Sequence, residues 1–237
     1  RAKPREFTDQ KVVMAMQTGG GIRAAIPAGN VTVGQVITVL PFGNTLALID
    51  VTGAELKAAL ELSVENVPKE KGGFLHVSGA RVVFDSSKPS GERVVSIELL
   101  NEDGTYTAIE DSKMYTVATN AFTAKGGDGF HMFAKAYTEG RVTDLGLSDW
   151  ENFAEHLETL KAIPTATEGR LVDLAGTGTK IIVSVMSFSY QVSPPQRLKS
   201  QVKSRDARLV RPWFKIAMPF CFGAAFKAYA LRGIFAF

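Results

Sequence analysis

Three short loops carry the side chains of this chain best suited to chemistry. The first, Thr18-Gly19-Gly20-Gly21-Ile22-Arg23, follows an apolar run and ends on a cation. A Walker-type phosphate loop needs Lys and then Ser or Thr after its last glycine, and a dinucleotide fingerprint needs G-x-G-x-x-G. Residues 19–24 supply neither. Two readings stay open: a turn whose glycines adopt backbone conformations closed to other residues, or the wall of some other pocket. The second loop, Asn120 to Phe130, places Asp128 among Gly126, Gly127 and Gly129 and brings Phe122 with it. An ionised carboxylate has two acceptor oxygens and can take two neighbouring sugar hydroxyls at once. An Asp in such a loop also commonly satisfies turn amides. The third loop, Leu40-Pro41-Phe42-Gly43-Asn44, holds an aromatic outside any apolar period, either a core plug or a stacking face. Two aromatics on separate loops can sandwich a planar base, with about 1–3 kcal/mol per stacked base. That exceeds the roughly 1 kcal/mol of an ordinary hydrogen bond.

The loops need elements to hold them. Lys11–Met16 and Thr45–Val51 read as strands, and Thr32–Val39 as a short helix or turn-rich segment. Thr52 and Glu55 fit a capping box, in which hydroxyl and carboxylate each satisfy a free amide at a helix start. The helix it opens should run to about Asn66. Phe74–Asp85, Arg93–Leu100 and Lys113–Thr119 have strand composition, separated by the turn signals DSSKPSGE and NEDGT. Ser148 and Glu151 suggest a second capping box before a helix with Trp150, Phe153, Ala154, Leu157 and Leu160 on one side. Glu168–Leu174 is a plausible last strand. The expected class is α+β, that is, mixed α/β.

Composition divides the chain. With 237 residues, 45% of them hydrophobic, it is long enough for one good core and an appendage. The overall charge of +3 hides an asymmetry. Residues 175–237 carry ten Lys/Arg against the single acid Asp206, a net of +9. The first 174 hold the remaining 17 basic and 23 acidic groups, a net of −6. A domain over 1–174 and a tail over 175–237 are therefore expected, the tail being disordered or a read-through end. Seven basic residues between Arg197 and Lys215 are the sort of run that contacts nucleic acid or anionic membranes, a role disfavoured here against a solvated segment. The only cysteine, Cys221, excludes an intrachain disulfide. His76, His131 and His156 lack metal-ligand spacing, and no nucleophile triad is arguable.

Taken together, GGGIR, LPFGNTL and NAFTAKGGDGF, in that order and followed by ATEGR at 166–170, resemble the C-terminal domain of the 5'-nucleotidase family. The resemblance covers about residues 11–174. It implies an α/β/β/α-type fold that binds the nucleoside part of a nucleotide. It further implies a separate N-terminal metallophosphoesterase domain, with two divalent metal ions, that cleaves the phosphoester. This chain would then bind no cofactor itself and would lack the family's preceding helix. By resemblance Phe42 and Phe122 sandwich the base, Arg23 closes the glycine motif toward the ligand, and Asp128 holds ribose hydroxyls. Asn44 and the loop glycines Gly19, Gly20, Gly21, Gly126, Gly127 and Gly129 line the same site. Thr18 stands where relatives carry a base-contacting Asn, and it lacks the amide's paired donor and acceptor. Base recognition therefore does not carry over as stacking does. The resemblance places the intact protein in the periplasm, at the cell surface or outside the cell. Its alternatives are 2',3'-cyclic nucleotide phosphodiesterase/3'-nucleotidase or UDP-sugar hydrolase activity on the same scaffold, or a non-catalytic interaction fragment.

Overall fold

The computed structural model describes residues 11–160, 162 and 167–176. The expected tail therefore lies outside the described residues, apart from Ala175 and Gly176. Strands β1 (Val12–Thr18), β2 (Thr45–Thr52), β3 (Leu75–Ser78), β7 (Met114–Asn120) and β8 (Val142–Ser148) form a five-stranded sheet in the order β3-β1-β7-β2-β8. Strands β4 (Ala80–Phe84), β5 (Val94–Leu100), β6 (Tyr106–Ala108) and β9 (Leu171–Asp173) form a second sheet in the order β6-β5-β4-β9. Helices α1 (Val33–Val39), α2 (Gly53–Val64), α3 (Ala121–Ala124), α4 (His131–Thr138) and α5 (Asp149–Leu160) complete an α+β fold.

Register decides where the loops end up. Strands β1 and β7 run parallel, with Ala15 opposite Ala118, so their C-terminal ends share one edge of the sheet. Antiparallel β2 brings its first residues to that edge, with Leu46 opposite Asn120. Antiparallel β3 does the same, with Leu75 opposite Thr18. At the outside of the sheet Ser148, the last residue of β8, pairs with Thr45. Five loops distant in sequence are thus collected at one rim.

The alternation of side chains along these strands builds two cores. Met14, Met16, Ile49, Val51 and Val117 face a cluster with Leu56 and Leu60 of α2, Phe133 of α4, and Val82, Phe84 and Ile97 of the second sheet. Ala15, Leu48 and Ala118 point the opposite way, against Val36 and Val39 of α1 and Phe153 of α5. Burial of such side chains stabilises by about 1.5–3 kcal/mol each, which makes the apolar faces of α1, α2 and α5 the main reason these helices persist.

Local chemistry sets the ends of the helices. At α2 the Thr52 hydroxyl accepts from the Glu55 amide at 3.1 Å, and Glu55 Oε2 accepts from the Thr52 amide at 2.9 Å. The Arg141 guanidinium also grips Glu55, its two nitrogens donating at 2.9 and 2.8 Å. That pairing holds the Glu55 carboxyl below its ordinary range and ties β8 to the start of α2. A second reciprocal cap, Thr32 with Gln35, starts α1 and was not expected from the sequence.

Two expectations are corrected. The run Phe74–Asp85 is not one strand: Gly79, with φ of 74°, breaks it, and the halves join different sheets. Only glycine enters that backbone region without strain, so the residue marks the crossing. The second capping box does not form. Ser148 ends β8 instead, its hydroxyl buried and without a hydrogen-bond partner, while the Trp150 amide donates to the Asp149 carboxylate at 2.7 Å.

Candidate functional site

The glycine loop is held from below and from the side. The amides of Gly19 and Gly20 donate to the carbonyls of Phe74 and Gly72 at 2.7 and 2.8 Å. A Cβ at Gly20 would stand 3.1 Å from the Gly72 backbone, and one at Gly21 would stand 2.3 Å from Gln17 Nε2. These glycines therefore permit close approach of a second chain segment, one of the uses of glycine that sequence alone leaves undecided. Ile22 leaves the loop extended, and the Arg23 amide donates to Val39 O at 2.9 Å. That bond places the exposed Arg23 side chain beside the 40–44 loop. Its guanidinium lies 5.9 Å from the centre of the Phe42 ring, a cation–π distance, and Nη1 donates to Gly20 O at 3.3 Å.

Phe42 is 60% exposed and Phe122 50% exposed, so neither ring plugs the core. Half-exposed aromatics at one rim are what a stacking surface requires. Phe122 sits on the one-turn helix α3, started by Asn120, whose carboxamide oxygen accepts from the Thr123 amide at 2.8 Å. The same Asn120 donates to Gln17 Oε1 at 3.1 Å, joining the ends of β1 and β7 beneath the loops. The Phe122 ring in turn lies against bare backbone: a Cβ at Gly127 would fall 2.4 Å from it.

Asp128 is exposed and adopts φ of 56° and ψ of 19°, the only non-glycine with positive φ among the described residues. Gly126 and Gly129 on either side have φ of 94° and 89°. Beyond them Phe130 is fully buried and stacks on Phe133 at 5.2 Å, anchoring the loop in the larger core. Asn44 is half-buried, and its carbonyl accepts from the Asp149 amide at 2.9 Å, fastening the third loop to α5. Thr18 is only 1% exposed and lies under Gly21, behind the open surface. Gln17, Gly72 and Gly73 border these loops and went unnoticed in the sequence, as did the link from Asn120, first residue of the second loop, to Gln17. Only the strand register reveals them.

Among the described residues no group of three or more His, Cys, Asp or Glu could hold a metal. No helix among them is long and apolar enough to cross a membrane. A separate cavity of about 710 Å³ opens where β1 and β7 begin, lined by Lys11, Asp50, Asn101, Glu110 and Lys113 among others. None of the loop residues above reaches it.

His76 lies on β3 opposite Gln17, edge-on to Phe74 at 5.4 Å, with Nε2 3.4 Å from where a Cβ of Gly19 would be. Burial, aided by the charge of Arg170, pushes its imidazole down to about 4. The unfolded chain takes up this proton near pH 6.5 and the folded chain does not, so stability falls as pH drops through that interval. Denaturant titrations should show a loss of about 1.5 kcal/mol between pH 6.5 and 5, the slope rising toward about 1.36 kcal/mol per pH unit as the unfolded imidazole becomes fully protonated. His76→Gln should flatten that slope; an unchanged slope would clear His76 of the effect.

Residues 5–135 match the family described as 5'-nucleotidase, C-terminal domain. A trifunctional nucleotide phosphoesterase of Bacillus subtilis is 38% identical over 73% of this chain and 12% of its own length. The 5'-nucleotidase of Diplobatis ommata is 36% identical over 77% of this chain and 32% of its own. A snake venom 5'-nucleotidase of Macrovipera lebetinus is 38% identical, over 70% and 42%. The chain thus spans less than half the length of these curated relatives. Among solved structures, a 5'-nucleotidase precursor from Thermus thermophilus superposes with a TM-score of 0.65 at 46% identity, over 69% of this chain and 32% of that one. The Haemophilus influenzae NAD nucleotidase does so with 0.57 at 32%, over 68% and 28%. With the family's domain matched over more than half of the sequence, and its fold and loop order both present, the chain belongs to the 5'-nucleotidase C-terminal domain family.

Proposed function

We propose that residues 1–174 form a nucleoside-recognition domain and that the intact protein hydrolyses nucleotides with a separate dimetal domain. The observation that carries this reading is the convergence of sequence-distant loops on one sheet edge, three of which bear Arg23, Phe42, and Phe122 with Asp128. The rings offer stacking faces to a base, and the carboxylate offers two acceptors to ribose hydroxyls. Arg23 supplies positive charge and stiffens Phe42. The described residues do not fit the family's two metal ions, so no cleavage step is assigned to them. Cleavage belongs to an N-terminal metallophosphoesterase domain.

The relatives' names span 5'-nucleotidases, a trifunctional nucleotide phosphoesterase and an NAD nucleotidase. What those ligands share is a nucleoside and not one kind of phosphoester. This favours recognition of the nucleoside as the domain's task and leaves the phosphoester to the partner domain. Snake venom enzymes among the relatives support a periplasmic, cell-surface or extracellular setting for the whole protein.

Calorimetric titration of the 237-residue chain with adenosine and uridine tests the proposal. Saturable binding of at least one nucleoside is expected, together with no metal-dependent phosphate release from nucleoside monophosphates in Mn²⁺ or Zn²⁺. Absence of binding to both nucleosides would overturn the recognition reading. Metal-dependent release that survives repeated purification would overturn the division of labour.

A further inference from the structure

The segment Lys71-Gly72-Gly73-Phe74, just before β3, touches two of the other loops at once. Gly72 and Phe74 accept the amide hydrogens of Gly20 and Gly19. Gly73 faces the other way. A Cβ built on it would stand 3.4 Å from both the Cβ and the carbonyl oxygen of Asp128, and 3.4 Å from Lys71 Cε. The segment is itself pinned to the end of α2, because Lys71 Nζ donates to Glu65 Oε1 at 2.7 Å and to Leu62 O at 3.1 Å. Lys71 and Glu65 are both mostly shielded from water, with side chains 19% and 31% exposed. This is a firm strut and not a loose surface contact.

Asp128 needs such a strut. A non-glycine residue with positive φ is held in a sparsely populated conformation that persists only when its surroundings over-determine it. On one side Asp128 is fixed through Phe130, sunk in the core. On the other stands Gly73, where even an added Cβ would lie only 3.4 Å from Asp128.

We propose that Gly73 is a positioning residue: its lack of a side chain sets where the Asp128 carboxylate stands, and thereby the pocket's preference for ligands with both ribose hydroxyls. This rests on the reading of Asp128 given above as the acceptor of those hydroxyls. Any atom beyond a Cβ at position 73 must push Asp128 or Lys71 aside, because both already sit at the limit of ordinary contact. The three atoms nearest that Cβ position belong to Asp128 and Lys71, and neither stacking ring is among them. Displacement should therefore weaken hydroxyl recognition and leave stacking intact.

The test compares adenosine with 2',3'-dideoxyadenosine, titrated into the full 237-residue chain and into Gly73→Val. The unsubstituted chain should bind adenosine roughly tenfold more tightly, the scale of one charge-assisted hydrogen bond. In Gly73→Val that ratio should fall to within about twofold of unity while dideoxyadenosine affinity stays within about twofold of its original value. If Gly73→Val does not fold, Gly73→Ser, with one atom beyond Cβ, carries the same comparison with a smaller displacement and a roughly threefold drop in the ratio. A ratio preserved in every folded Gly73 variant would overturn the proposal and leave the Asp128 reading standing. Equal weakening of both ligands would also overturn it, showing a structural role only. An unsubstituted chain without the preference would remove the Asp128 reading, and this inference with it.

Discussion

Phe42→Ala and Phe122→Ala should each weaken nucleoside binding by about 1–3 kcal/mol, roughly five- to more than a hundredfold in Kd. The expectation rests on exposure. Rings that are 60% and 50% open to solvent contribute little packing to the free domain, so truncation should leave the fold intact. What is lost is the stacking face. The two substitutions are not equivalent, however. Removing the Phe42 ring also frees Arg23, whose guanidinium stands over it at 5.9 Å, so some ordering of that cation goes too. Removing the Phe122 ring uncovers the Gly127 backbone on which it lies. Conservative Phe→Tyr or Phe→Trp changes should retain most of the affinity, because the face is kept. Calorimetry on folded variants decides the matter. Unchanged affinity in both alanine variants would remove stacking from the account of this site.

The larger effect on stability should come from Gly126→Ala. Its φ of 94° lies where a side chain clashes with its own backbone, at about 1–2 kcal/mol. The added Cβ would also fall 2.5 Å from Ala134 Cβ and 3.1 Å from the Ala134 backbone on α4, which cannot move without disturbing Phe133. Overpacking of that kind costs about 1–3 kcal/mol. Together the two terms reach roughly 2–5 kcal/mol, a large part of the roughly 5–15 kcal/mol that holds a typical domain. Gly129→Ala separates them. Its φ of 89° is similar, but nothing lies within 4 Å of the added Cβ, so only the backbone term applies. Denaturant midpoints should therefore order as unsubstituted, then Gly129→Ala, then Gly126→Ala. Equal losses in the two variants would show that the α4 contact is not a real constraint.

Much of this architecture was legible before the structure. The Thr52 and Glu55 cap, the strands at 45 and 114, and the helix through Phe153 follow from spacing, because each buries one periodic face. The elements that escaped notice share a physical reason. Strand β8 is an edge strand with an exposed or half-buried pattern throughout, so it carries little apolar alternation. Helix α4 is eight residues long, and its buried Met132, Phe133 and Ala136 follow directly on a glycine loop. The division at Gly79 depended on which sheet each half would join, and no local signal states that.

The site shows the same limit. Its exposed residues stood out because an aromatic beside Pro and Gly, or an Asp among glycines, is conspicuous in composition. The supports did not. Gln17 and Asn120 are 103 residues apart, and Gly73 gains meaning only once β3 is laid against β1.

The central position of β7 has a consequence for the order of synthesis. A chain made only as far as residue 113 holds β1, β2 and β3, yet β2 has neither of its sheet partners, since both β7 and β8 come later. Strand β1 would be paired on one side only. Two apolar strand edges therefore wait, open to other chains, until β7 emerges and inserts between them. If nucleoside is the ligand, as proposed, it cannot shorten that interval, because the loop bearing Phe122 and Asp128 is the very next segment to be made. Ligand can act only afterwards, adding about 2.7 kcal/mol at a hundredfold excess over Kd to a sheet already closed. In a cell, the yield of this domain should respond to chaperones during translation and to nucleosides only once the chain is complete.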